Sequence, residues 1–197
     1  MIILLRHGET FWNREKRIQG HTESDLTPLG ERQAEAMARL VAELVAREGG
    51  GWRLVASPIG RAQRTAQAVA RATGLAVETD ARLAEICCGE WEGRLRSEVA
   101  EVHPERFRTG EWFFGAPGGE TFEGVYGRAA SWLADLPPEG ERRVIAVSHG
   151  VLGRMVRGAY GGLDRQAILA QDVPQDALYR LHGGQIDRFD CEPVEPV

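Results

Sequence analysis

Short apolar runs that end abruptly in polar residues or glycine recur along the chain. Such continuous runs are typical of strands buried on both faces in a parallel sheet, because neither face meets water. The strands predicted in this way cover residues 2–5, 52–58, 75–80 and 144–147. Near the end, residues 177–190 predict a closing hairpin about Gly183-Gly184.

Between these strands, apolar residues recur at helical spacing. The first predicted helix has Thr27 as its N-cap and Pro28 as its first residue, and the glycines at 49–51 end it. The second is predicted to have Ser57 as N-cap and Pro58 as first residue. Two more are predicted, over residues 121–136 and after Gly150. This alternation predicts a three-layer α/β/α sandwich with a mostly parallel central sheet.

One stretch departs from the alternation. Residues 86–120 carry several large aromatic residues, among them Trp91, Trp112, Phe113 and Phe114, between glycines and prolines. We interpret this stretch as an insertion that covers a site. Its aromatic residues are explained equally well by lining a pocket or by packing under a loop. The tail, residues 191–197, is expected to be loose.

Composition narrows the class of protein. A chain of 197 residues with 43% hydrophobic content predicts one domain, residues 1–197. The formal net charge of -5 argues against nucleic acid or an anionic membrane as partner, since both favour a basic surface. A bound anion must therefore be held by a few local cations. The basic residues of the insertion (Arg94, Arg96, Arg106, Arg108) are interpreted as a solvated face.

The cysteines bear on the compartment. Cys87 and Cys88 are adjacent, and Cys191 stands alone, so neither a zinc ribbon nor a disulfide framework is indicated. The start of the chain lacks the basic leader and cleavage site of a signal peptide. We therefore expect a reducing, cytoplasmic location.

Candidate chemistry lies where the strands end. Arg6-His7-Gly8 follows the first strand, Ser57 leads to Arg61 after the second, and Ser148-His149-Gly150 follows the last parallel one. The carboxyl ends of parallel strands meet at one edge, where ligands bind. Arginine forks fit phosphate oxygens, helix N-termini donate N–H groups to anions, and an imidazole is a competent nucleophile toward phosphorus. The glycine after each histidine lets the backbone approach a ligand closely.

The motifs "LLRHGETFWN", "RIQG", "SPIGRAQRTA", "LAEICCGEWEG" and "SHG" follow one another between residues 4 and 150. Together they resemble the histidine phosphatase superfamily, the phosphoglycerate mutase-like proteins. The resemblance implies that His7 is the nucleophile that becomes phosphohistidine and that Glu85 is the acid/base. It implies a phosphoryl clamp of three residues, namely Arg6, Arg61 and His149. It implies a set of further substrate-binding positions, namely Asn13, Gln19, Gly20 and Gly150. Neither a metal nor another cofactor is expected, since fixed cations offset the phosphoryl charge.

The resemblance leaves the reaction open between classes. Because Glu85 is followed by the neutral sequence "ICCGEWEG" and by a short stretch before His149, the chain resembles the phosphatase branch. We therefore expect a phosphomonoesterase of the histidine acid phosphatase type that acts on a small phosphorylated metabolite. The alternatives are a bisphosphoglycerate-dependent phosphoglycerate mutase and, less favoured, a non-catalytic binding module. A homodimer is left open.

Two other chemistries are poorly supported. "AVSHG" has Ala146 where a nucleophile elbow has its first glycine. A metal site made of His7, Glu9, Glu85 and His149 lacks the usual ligand spacing, and the arginines beside it would repel a cation.

Overall fold

The structure is a computed structural model, and it describes residues 1–194. Its strands in chain order are β1 Ile2–Arg6, β2 Arg53–Ala56, β3 Val77–Thr79, β4 Val144–Ser148, β5 Ala177–His182 and β6 Gln185–Asp190. They form one sheet in the order β3-β2-β4-β1-β5-β6. The last three residues of the predicted loose tail lie outside the described part of the chain.

The sheet is parallel over four neighbouring strands. β4 pairs with both β1 and β2, and Val147 stands opposite Leu5 on one side and Ala56 on the other. The carboxyl ends of these strands are therefore level with one another. β5 and β6 are antiparallel, because Gly183 and Gly184 at φ 60° and 75° form the tight turn that joins them. The predicted mostly parallel sheet and closing hairpin are confirmed.

Eight α-helices accompany the sheet within residues 1–194. They are α1 Phe11–Arg14, α2 Pro28–Glu48, α3 Gly60–Thr73, α4 Arg96–Val102, α5 Pro104–Arg108, α6 Phe122–Ala134, α7 Gly150–Gly161 and α8 Arg165–Ala170. The predicted start of α2 is confirmed, since the Thr27 side chain accepts a hydrogen bond from Gly30 N–H. Thr121 caps α6 in the same way, with Gly124 N–H as donor.

The predicted start of α3 was wrong. The helix begins at Gly60 after Ile59, and no side chain caps it. Residues 57–59 carry the chain from the strand end to the helix, so Ser57 lies too early to be the cap. Its hydroxyl instead accepts from Ile59 N–H at 3.2 Å and lies 2.7 Å from His149 Nε2.

Both faces of the sheet are buried, as the continuous apolar strands predict. Ile3 and Leu5 pack with residues of α2 and α3, among them Met37. Ile2 and Leu4 face the opposite way and pack with residues of α6 and α7. The molecule thus has three layers, and the period of two along β1 distributes its side chains between two cores.

Residues 86–120, which we call the covering segment, contain α4, α5 and two single-turn 3₁₀ helices, Gly89–Trp91 and Trp112–Phe114. Trp91 is buried and its ring lies 5.2 Å from that of His103. Trp112 is buried and stacks on Phe107 at 4.9 Å. Within residues 1–194, no helix is long and apolar enough to cross a bilayer.

Candidate active site

The level strand ends bring the two predicted histidines together. Arg6 at the end of β1 is in register with Ser148 at the end of β4, and His7 N–H donates to the Ser148 carbonyl at 3.1 Å. One residue further along each strand, the rings of His7 and His149 lie 5.1 Å apart at an interplanar angle of 60°. Both rings are buried.

His7 is held in a nucleophilic form. Its Nδ1 lies 2.8 Å from the Gly8 carbonyl oxygen, which can only accept a hydrogen bond. The proton therefore resides on Nδ1, and the Nε2 lone pair is free. Burial, followed by the charges of Arg61 and Arg6, holds the pKa of His7 well below its ordinary value. At neutral pH the ring is uncharged and able to attack.

Two guanidinium groups flank the histidines, each tied to backbone. Arg61 donates to the carbonyls of Gly20 at 2.6 Å and Thr22 at 2.9 Å, and Arg6 donates to that of Val173 at 2.5 Å. Burial lowers the pKa of Arg6 to about 10, while Glu85 opposes that shift. Burial likewise lowers the pKa of Arg61. A pKa of about 10 leaves Arg6 cationic at neutral pH, so positive charge faces the histidines.

Three donor groups in this cluster lack partners. Among residues 1–194, the buried side-chain nitrogens without a hydrogen bond are Arg6 Nε, Arg61 Nε and His149 Nδ1. Buried polar atoms are nearly always paired, so each exception needs an explanation. These atoms belong to the three residues of the predicted clamp. Their coincidence indicates a site for an anion rich in acceptor oxygens.

Glu85 lies at the N-terminus of α7. Its Oε2 accepts from Val151 N–H at 3.2 Å, and its Oε1 accepts from Leu152 N–H at 3.1 Å. The free N–H groups and dipole of a helix N-terminus favour a carboxylate there. The Arg128 guanidinium donates to the carbonyls of Ala84 at 2.6 Å and Glu85 at 2.9 Å, and so fixes the backbone that carries the acid.

Three of the four remaining predicted residues line a cavity whose wall also contains His7 and Glu85. Asn13, Gln19 and Gly20 line it. Gly150 starts α7, and a Cβ there would lie 3.6 Å from Arg6 Nε. The structure thus brings the predicted site residues into one region. Trp112 and Phe113 line the cavity as well, whereas Trp91 belongs to the core.

One sequence interpretation needs correction and another is incomplete. Gly8 does not free space for a ligand: a Cβ there would lie 2.1 Å from the Gly30 carbonyl oxygen, so the glycine permits contact with α2. Arg96 is exposed, as a solvated face predicts, but it also lines the cavity and its guanidinium lies 5.5 Å from the centre of the Trp112 ring. Arg108, by contrast, forms an exposed ion pair with Glu105.

Several contributing residues were missed. The Glu92 carboxylate accepts from the N–H groups of His21 and Thr22, both at 3.0 Å, and His21 Nε2 lies 2.8 Å from the Glu85 carbonyl. These contacts hold the loop whose carbonyls bind Arg61. Gln175 donates to Asn13 Oδ1 at 2.9 Å. The glutamate repeat in "GEWEG" was the only sequence signal, and it does not specify a partner.

In residues 1–194, no three His, Cys, Asp or Glu side chains are grouped so as to hold a metal ion. The polar groups that the cluster offers are mainly donors, and burial holds the pKa of His149 well below its ordinary value, with Arg61 and His7 adding to the effect. Such a set binds anions.

Known proteins share this arrangement of sequence and fold. The profile of the histidine phosphatase superfamily (branch 1) matches residues 2–188. Proteins named "Probable phosphoglycerate mutase GpmB" from Enterobacter sp. (strain 638) and Salmonella paratyphi C (strain RKS4594) are 40% and 36% identical, over 97% of this chain and 85% of each relative. A mycobacterial glucosyl-3-phosphoglycerate phosphatase solved with VO3 is similar at a TM-score of 0.80 and 27% identity, over 97% of this chain and 99% of that one. The resemblance seen in the motifs is confirmed: the chain belongs to branch 1 of the histidine phosphatase superfamily.

Proposed function

We propose that this protein hydrolyses the phosphomonoester of a small metabolite through a phosphohistidine at His7. The observation that carries the proposal is the set of three unpartnered donor nitrogens, on Arg6, Arg61 and His149, beside an imidazole whose Nε2 lone pair is free. A phosphoryl group offers oxygens to these three nitrogens and its phosphorus atom to His7 Nε2.

In the first step, the Nε2 lone pair of His7 forms a bond to phosphorus as the bond from phosphorus to the ester oxygen breaks. Glu85 acts as the general acid: it takes up a proton with the substrate, whose negative charge offsets the preference of the α7 N-terminus for a carboxylate, and it gives that proton to the ester oxygen, so that an alcohol leaves. Arg6 and Arg61 neutralise charge on the transferring oxygens. The Gly8 carbonyl holds the Nδ1 proton while the ring gains positive charge.

In the second step, a water oxygen bonds to phosphorus and the bond to Nε2 breaks, returning its electron pair to the ring. The Glu85 carboxylate takes a proton from this water and regains its starting form. Inorganic phosphate is released. Splitting one displacement into two lets a single carboxyl act first as acid and then as base.

A mutase is the second candidate, because two further arginines, Arg17 and Arg96, line the cavity. Arg17 is paired with Glu15, whereas the Arg96 guanidinium makes no hydrogen bond or ion pair within residues 1–194 and lines the same cavity as Glu85. The curated relatives named above are phosphoglycerate mutases by name. A substrate with a carboxylate beside its phosphate would satisfy Arg96, and a bound bisphosphate could return its phosphoryl group.

The experiment measures phosphate release from p-nitrophenyl phosphate in the presence of EDTA. We expect turnover without added metal, and a loss of about 10³-fold or more in His7→Asn. Quenching during turnover should trap an acid-labile phosphoenzyme in the native protein and none in the variant. Undiminished activity of His7→Asn would refute the mechanism.

A second assay separates the two candidates. With 3-phosphoglycerate and a trace of 2,3-bisphosphoglycerate, a hydrolase releases inorganic phosphate faster than it forms 2-phosphoglycerate. The opposite order of rates would establish the mutase.

A further inference from the structure

Ser57 is a buried hydroxyl that the helix start does not use. It follows β2 directly, is fully buried, and lies 2.7 Å through its Oγ from His149 Nε2. The same Oγ accepts a hydrogen bond from Ile59 N–H. Within residues 1–194 the hydroxyl has no other polar neighbour in hydrogen-bond range, so its own proton has one available acceptor, His149.

The ring of His149 has two ways to carry a single proton. Burial and the neighbouring cations keep it uncharged at neutral pH, since its pKa is held well below the ordinary value. With the proton on Nε2, Ser57 Oγ would accept twice, its hydroxyl proton would have no acceptor, and Nδ1 would present a lone pair to an anion. With the proton on Nδ1, Ser57 donates to Nε2 and every hydrogen except that on Nδ1 is satisfied.

We propose that Ser57 is a positioning residue, whose hydroxyl donates to His149 Nε2 and thereby holds the imidazole proton on Nδ1 as the donor to a phosphoryl oxygen. The inference rests on the proposed function for the identity of that acceptor. It accounts for two observations at once: the 2.7 Å contact to Ser57 and the buried Nδ1 with no partner within residues 1–194. His149 then acts as a neutral donor beside the cationic arginines.

The direct test is nitrogen-15 NMR of the histidine-labelled protein at neutral pH. A long-range correlation spectrum distinguishes the two imidazole tautomers, and the His149 signals are assigned by their loss in His149→Asn. We expect the Nδ1–H form in the native protein. An Nε2–H form would overturn the proposal, and this reading needs no variant of Ser57 to fold.

Two perturbations extend the test. Adding inorganic phosphate should shift the Nδ1–H proton of His149, because it gains an acceptor; an unchanged signal would show that this proton does not meet the anion. In Ser57→Ala neither ring nitrogen has a partner, so the proton should distribute over both. If His149 in Ser57→Ala kept a pure Nδ1–H form, Ser57 would not be the residue that holds the proton on Nδ1.

Ser148→Ala is the matched control. Ser148 is also fully buried at the end of a neighbouring strand, but its hydroxyl donates to the Leu83 carbonyl at 2.8 Å. Its loss should leave the tautomer of His149 unchanged. In turnover of p-nitrophenyl phosphate, Ser57→Ala should lower kcat/KM about ten- to a hundredfold, the effect of one charge-assisted hydrogen bond, and Ser57→Thr should recover part of the loss. If the native protein hydrolyses no phosphomonoester, the proposed function fails while the tautomer measurement still decides the role of Ser57.

Discussion

At the scale of single residues, the site depends on which nitrogen or oxygen each group presents. Gly8 sets the tautomer of His7, and carbonyls of the 19–22 loop orient Arg61. The motifs predicted the identities of these groups because each motif stands at a strand end. They could not predict the partners, since a hydrogen bond between distant positions leaves no local pattern. Arg96 shows the same limit: the pattern of an exposed arginine does not indicate that the residue also lines a cavity.

Arg96 is expected to select substrates with a second negative group. Glycerol 3-phosphate and 3-phosphoglycerate differ only in that a hydroxymethyl group replaces the carboxylate. Arg96→Gln should lower kcat/KM for 3-phosphoglycerate about ten- to a hundredfold, because a charged hydrogen bond is lost, and should leave that for glycerol 3-phosphate nearly unchanged.

Arg108→Gln is the matched control for this selectivity, because Arg108 forms an exposed ion pair away from the cavity. An equal loss for both substrates in Arg96→Gln would show a general rather than a selective role.

At the scale of elements, a pair of glycines lets the loop after β1 contact α2. A Cβ on Gly8 would lie 2.1 Å from the Gly30 carbonyl oxygen, and one on Gly30 would lie 2.0 Å from the Glu9 carbonyl oxygen. The start and end of α2 were predicted correctly because caps are local, whereas the predicted start of α3 was wrong. From the sequence, Gly8 was interpreted as allowing close approach to a ligand, because a sequence does not show which surface approaches a glycine.

We expect Gly8→Ala to destabilise the fold by about 3 kcal/mol, the cost of forcing backbone apart in a close-packed contact. Gly150→Ala should change the free energy of unfolding by less than about 1 kcal/mol, because its nearest contacts are ordinary at 3.6 and 3.7 Å. Urea unfolding followed by circular dichroism measures both. Equal stability of Gly8→Ala and the native protein would contradict the packing explanation.

At the scale of the whole molecule, the fold buries two uncharged imidazoles beside two cations. The alternation of strands and helices predicted this architecture, because it reflects burial on both faces of a sheet. The path of the covering segment was not predictable, since its short helices are set by contacts with α6 and the loop before α2. Its anchor is the ion pair of Arg128 with Glu120 at 2.9 Å, which a sequence pattern does not indicate.

Stability should therefore fall as the pH drops below 6.5. His7 and His149 have folded-state pKa values well below 6.5, so the unfolded chain binds more protons in this range. The free energy of unfolding rises with pH between the lowered pKa values and 6.5, by at most about 1.4 kcal/mol per pH unit for each ring.

Urea titrations between pH 5 and 6.5 measure that slope at pH values above those at which ordinary carboxyl groups titrate. His7→Asn should show a shallower slope than the native protein, because one of the two rings is gone. A slope identical in both proteins would mean that His7 carries the same proton folded and unfolded.

The covering segment is one uninterrupted stretch of chain, while the groups proposed to bind and transfer a phosphoryl group come from separate strand ends. The residues proposed to transfer the phosphoryl group and those proposed to select the substrate therefore lie in different parts of the sequence. An exchange of residues 93–115 between two such enzymes would leave Glu92 and Glu120, which bind the 19–22 loop and Arg128, in place. It would transplant Arg96, Trp112 and Phe113 as a unit, and with them the preference for one leaving alcohol over another.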